Sequence, residues 1–196
     1  LGRSFVCSAG TADMTDNDII AKIIELLNAK FAVWPYPVGY GPVEVQQKQQ
    51  PTKQGIPSAP TVFVEKLFDH RYGWVAVLQE ETSDPTKLLE TENQLYNTTF
   101  QISALALQDP SRIDLPTASD LCSDACAILQ SRYALQEFTA AKIAVFRVSD
   151  VQNSYVTDDQ DRQEAEPSFD IVLSYTRTIA SPIDKITGVD WKIVPV

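Results

Sequence analysis

The chain has 196 residues, 44 % apolar and 21 % charged, with 16 basic against 26 acidic side chains and a net charge of −10. That length suits one well-filled core and is short for two full domains, and no window approaches the roughly 20 consecutive apolar residues that span a bilayer. The excess of acid disfavours any function resting on broad neutralisation of nucleic-acid phosphates.

Residues 1–13 hold Cys7 and several small side chains, without a basic cluster or a sustained apolar run, so they read as an N-terminal extension and not as a signal peptide. Residues 14–196 are expected to form a single α+β domain. Thr15-Asp16-Asn17-Asp18 is a helix start with a cap and first-turn acids, and Ile19, Ile20, Ile23, Ile24, Leu27 and Phe31 place one apolar face on a helix from Asp16 to Lys30. Trp34-Pro35-Tyr36-Pro37 ends it. Residues 34–60 then carry half of the twelve prolines and five glutamines, which predicts an extended arm with a short edge strand at Val43-Glu44-Val45.

Thr61–Phe68 and Trp74–Leu78 are rich in β-branched and aromatic residues, and Asp69-His70-Arg71-Tyr72-Gly73 between them predicts a hairpin with a five-residue loop. Glu80–Asn93 is polar and acidic, with a turn at Asp84-Pro85. The next strand is expected at Gln94–Leu107, where Phe100, Ile102, Ala104 and Ala106 alternate with Gln101, Ser103, Leu105 and Leu107. Asp109-Pro110 and Leu115-Pro116 stop it. Thr117 and Asp120 have the spacing of a capping box, and Leu121, Ala125, Ile128, Leu129 and Tyr133 predict one amphipathic helix. Two closing strands, Ile143–Val156 and Phe169–Ala180, follow, joined by an acidic inter-strand loop over 150–167. Six acids against Arg162 give residues 150–166 half of the net charge. The tail from Ile183 ends in apolar residues that a monomer would bury. Together these elements predict an α+β fold, a mostly antiparallel mixed sheet with two main helices packed on it.

Catalytic and metal chemistry find little footing. His70 is the one histidine, so neither a multi-histidine metal site nor a histidine-based triad is supported. Glycine-rich phosphate loops and nucleophile elbows are missing. Asp158-Asp159-Gln160-Asp161 suggests a calcium loop, but the turn glycine of that template would fall on Glu164. Asn97-Thr98-Thr99 fits a glycosylation sequon inside a predicted strand. Cys122 and Cys126, one helical turn apart, read as core packing. No catalytic, cofactor-binding or metal residue is assigned, and no cofactor is expected. Three segments exceed what a lone domain needs, and they supply the interface candidates: Trp34, Tyr36, Tyr40 and Gln50 in the arm, Asp158, Asp159 and Asp161 in the acidic loop, Trp191 and Val194 in the tail.

The order of elements, and in particular Gln50-Pro51-Thr52 through Pro60-Thr61-Val62-Phe63-Val64, Glu92–Leu107, and Thr117–Phe138 followed by Ile143-Ala144-Val145-Phe146, resembles the tail terminator and neck terminator proteins of long-tailed bacteriophages. The resemblance spans about Met14 to Val196. It implies a virion structural protein, not an enzyme, that assembles in the host cytoplasm as a ring, usually a homohexamer, at the tail–neck junction. Implied partners are other copies of itself, the tail tube protein, neck or head–tail connector proteins, and a sheath protein if the tail is contractile. DNA would pass through the lumen without specific binding, and no membrane is involved. Another ring of the same particle, such as a tube or head-completion protein, and a soluble α+β ligand-binding or enzymatic domain are the alternatives.

Overall fold

The computed structural model describes residues 14–48, 59–106, 111–157 and 163–186. Among the described residues the fold is α+β, with three helices and a mixed six-stranded sheet. Helix α1 (Asp16–Phe31) begins at a capping box, Thr15 Oγ1 accepting from the Asp18 amide while the Thr15 amide donates to the Asp18 carboxylate at 2.8 Å. It buries Ile19, Ile20, Ile23, Leu26, Leu27 and Phe31, the apolar stripe expected of a docked helix. Helix α2 (Ala118–Gln130) starts with the same device at Thr117 and Asp120. Among the described residues no helix is long and apolar enough to cross a membrane.

The strands are β1 (Glu44–Gln47), β2 (Thr61–Glu81), β3 (Lys87–Leu105), β4 (Ala144–Val148), β5 (Gln152–Thr157) and β6 (Gln163–Asp184). Their order is β1-β2-β3-β6-β4, with β5 also paired to β6. Strand β1 lies parallel to β2, Glu44 opposite Thr61, whereas β4 and β5 run antiparallel to β6. The Ser174 hydroxyl donates to Asn97 and the Thr178 hydroxyl to Asn93, so numbers rise along β6 as they fall along β3 and that pair is antiparallel as well.

Four expectations are corrected. The predicted hairpin at Thr61–Leu78 is one 21-residue strand. Asp69 stays in the strand, its carboxylate accepting at 2.6 Å from Thr98 on the neighbouring β3 and from Lys66 on its own strand, and Gly73 takes a φ of +74° as a local irregularity of a continuing strand. The chain turns at residues 82–86, where Asp84-Pro85 predicted a turn and the Asp84 carboxylate accepts from the Thr86 amide, but β3 starts at once after it, seven residues before the predicted Gln94. The single helix after Thr117 is two. Ser131 leaves helical geometry with ψ of 152° and caps α3 (Arg132–Ala140), its hydroxyl accepting from the Ala134 amide. The first closing strand is likewise split into β4 and β5, and much of the predicted acidic loop is a hairpin arm, with Gln152 opposite Ser168 and Thr157 opposite Gln163.

The described chain divides into two compact units. The larger, Thr15–Arg71 with Tyr96–Tyr175, holds the helices. Thr98, Phe100, Ile102 and Ala104 of β3 and Phe169, Ile171, Leu173 and Tyr175 of β6 are buried on the sheet face the helices cover. Cys122 of α2 touches the Ile102 carbonyl there. Helix α3 is tied to α1 by Lys22–Glu137 at 2.9 Å and by the Lys30 ammonium over the Tyr133 ring. At one end of this unit a closed circuit of polar contacts joins α1 to three strands: Asp16 to Lys66, Lys66 to Asp69, Asp69 to Thr98, Thr98 to the Tyr175 hydroxyl, and that hydroxyl back to Asp16. The smaller unit takes Tyr72–Leu95 and the described residues from Thr176 onward, a ribbon made from stretches of β2, β3 and β6.

Candidate assembly surface

The arm that leaves α1 is fastened to the protein's own helix. Tyr36 stacks on Phe31 and lies against Tyr40, with ring centres 6.3 and 4.8 Å away, and Trp34 meets Phe31 edge-on. The Tyr36 hydroxyl donates to the Asp124 carboxylate of α2 at 3.0 Å. Burial, more than the neighbouring carboxylates, pushes the Tyr36 hydroxyl up from its ordinary value and the Tyr40 hydroxyl up to about 12. Asp124 is itself raised by burial, against the hydrogen bonds it accepts from Tyr36 and Trp34. Gly39, at a φ of +96°, permits the turn that brings Tyr40 back under the cluster, where Tyr40 is 7 % exposed.

Of the other interface candidates, Gln50, Asp158, Asp159, Asp161, Trp191 and Val194 lie outside the described residues, as does Cys7. The structure therefore brings Trp34, Tyr36 and Tyr40 together and describes no contact for the rest. His70 is exposed on β2, and not in a turn. Asn97 is buried on β3, accepting from Ser174. Cys122 is buried, with its thiol pushed up to about 12 by desolvation, and Cys126 is half-buried and also raised. Among the described residues no three metal-ligating side chains gather.

Thr99, Gln101, Arg147, Ser149 and Asp170, with Phe68 and Val172 among them, line a shallow, open hollow of about 350 Å³. A ligand pocket is typically enclosed and mostly apolar, whereas this hollow is open and its lining is mixed.

The ribbon of the smaller unit differs from everything above. Trp74 is 97 % exposed and Ile179 64 %, and Tyr72, Val75, Val77, Leu78 and Leu95 are exposed too. Gln79 bonds Glu90 across one face, and Asn93 bonds Thr178 across the other. By the alternation of strands, Val75, Val77 and Ile179 share the first face and Trp74, Leu78 and Leu95 the second. Both faces are thus apolar in part and open. Sequence reading passed these residues over because a strand apolar on both sides reads as core.

A small α+β protein that anchors its arm aromatics on itself and still leaves a strand ribbon apolar on two sides is built to work among other protein molecules, as a structural component of an assembly. The comparison with protein families gives that class a definite place. A family model described as E217 gateway protein gp29 matches residues 17–185, and the chain belongs to this family, one of bacteriophage virion structural proteins. No curated protein matches it.

Proposed function

We propose that this protein forms a closed ring at the head-proximal end of the phage tail tube, where it ends tube growth and joins the tail to the neck. The observation that carries the reading is membership, over residues 17–185, of a family described as a gateway protein. A gateway is a passage, and identical copies enclose a passage most simply as a ring of heterologous contacts. Six copies is the number that the likeness to tail terminators implies. One side of the ring meets the tail tube protein, the other the neck or head–tail connector proteins, and a sheath protein joins where the tail contracts. A net charge of −10 per copy supports a lumen that DNA slides through without sticking. Asp158, Asp159 and Asp161 are proposed to face that lumen or the tube, and Gln50, Trp191 and Val194 to reach a neighbouring copy.

The test is a phage carrying a stop codon early in this gene, imaged from lysates of non-suppressing cells. Overlong tails, or finished tails separate from full heads, are expected, with infectivity restored by the protein supplied in trans. A complete lack of tails would move the protein to the tube. Normal particles, with heads and tails joined, would end the reading.

A further inference from the structure

We propose that the open ribbon is the contact between copies: the face bearing Trp74 on one copy packs on the face bearing Val75, Val77 and Ile179 on the next. The inference rests on the ring reading above and names the surface that closes it.

A three-stranded sheet holds in water only when a face is packed, and here apolar side chains stand exposed on both faces. From the exposed fractions, the apolar residues of each face offer on the order of 300–450 Å². At the roughly 57 % apolar share of protein interfaces, that corresponds to about 500–800 Å² per partner, the scale of a standard contact.

The two faces are unlike. One presents the Trp74 indole with Leu78 and Leu95, and the other presents β-branched Val75, Val77 and Ile179 beside Glu90 and Gln79. Like-on-like packing, as in a two-fold dimer, would cover one face and leave the other bare. Packing unlike faces covers both, and such a series leaves no bare face once it closes on itself. The ribbon's edges agree with a neighbour on either side. Among the described residues β1 pairs with β2 only from Thr61 to Val64, and β4 and β5 reach β6 only up to Ser174, so no strand flanks the ribbon.

The experiment compares the full chain with Trp74→Asp, Val77→Asp and, as a control, Ile113→Asp, whose side chain is 99 % exposed outside the ribbon. Native mass spectrometry and sedimentation over a range of concentrations read the assembly, with circular dichroism to verify folding. Ile179→Asp repeats the Val77 test from another strand should Val77→Asp misfold. The native chain and the control should assemble alike, and each ribbon variant should weaken assembly on the order of 30-fold or more. An equal mixture of Trp74→Asp and Val77→Asp copies should stop at pairs, since between them only one intact contact is left. Ribbon variants that assemble like the native chain overturn the inference. So does a native chain that stays monomeric at every concentration, because residues 1–13, residues 187–196 or another virion protein would then cover the ribbon. Either result leaves the place at the neck to the stop-codon phage, whose normal joined particles would sink that place, while the contact between copies stands or falls on the assembly measurement.

Discussion

Tyr36 and Asp124 share one hydrogen bond, and burial presses on both. A carboxylate raised above its ordinary 3.8 favours the folded state most when protonated. The stability Asp124 contributes is present below that ordinary value and is lost as pH rises through the raised one. Asp124→Asn keeps an acceptor for Tyr36 without the buried charge, so it should change stability by less than about 0.5 kcal/mol at pH 7 and flatten the acid side of the stability profile. Tyr36→Phe leaves the carboxylate with the Trp34 indole alone and should cost about 1 kcal/mol. Urea unfolding at pH 4 and pH 7 checks both. The sequence allowed aromatics beside prolines to dock on their own fold or on a partner. The residue that decided for their own fold, Asp124, lies 88 positions away from Tyr36, beyond any local pattern.

Elements were legible where their signals are local. Thr15 with Asp18, and Thr117 with Asp120, set both helix starts within four residues of chain. The break at Ser131 was hidden because apolar spacing runs on through Tyr133, while the structure buries Ala134 and leaves Tyr133 exposed. The run Asp69–Gly73 has turn composition, yet its strand geometry comes from pairing with a segment still to follow in the chain. The chain leaves helix α3 through Lys142, a non-glycine residue at a φ of +60° just past the cap residue Ala141, followed by the Ile143 amide donating to the Phe138 carbonyl. This is the left-handed stop that glycine usually fills. Lys142→Gly should therefore stabilise the protein by about 1 kcal/mol, seen as a higher urea midpoint with an unchanged slope. An unchanged or lower midpoint would mean that the lysine side chain compensates for its backbone.

At the scale of the whole molecule, fold class and virion setting could be read from the order of elements, whereas the ribbon could not, since covered by its own chain or by another copy it has the same sequence. Charge adds a measurable property of the proposed ring. Copies that each carry −10 repel one another, and salt screens that repulsion within about 10 Å at 0.1 M. Self-association should accordingly strengthen between about 0.05 and 0.5 M sodium chloride, as read by sedimentation. Weakening over that range would point to attractive ion pairs as the main force between copies.

The closed polar circuit also sets a clock. Its members Asp16 and Tyr175 are 159 residues apart, and at bacterial synthesis rates of 5–20 residues per second they leave the ribosome on the order of 10–30 s apart. Strand β6 enters the sheet between β3 and β4, so Asp16 waits for Tyr175 throughout that interval, and β3, once made, keeps an open flank for the later part of it. A nascent chain thus exposes an unpaired strand edge for seconds before its own sheet can close. Chaperone demand during infection, and a bias toward aggregation when the gene is expressed at high temperature, follow from where one tyrosine falls in the order of translation.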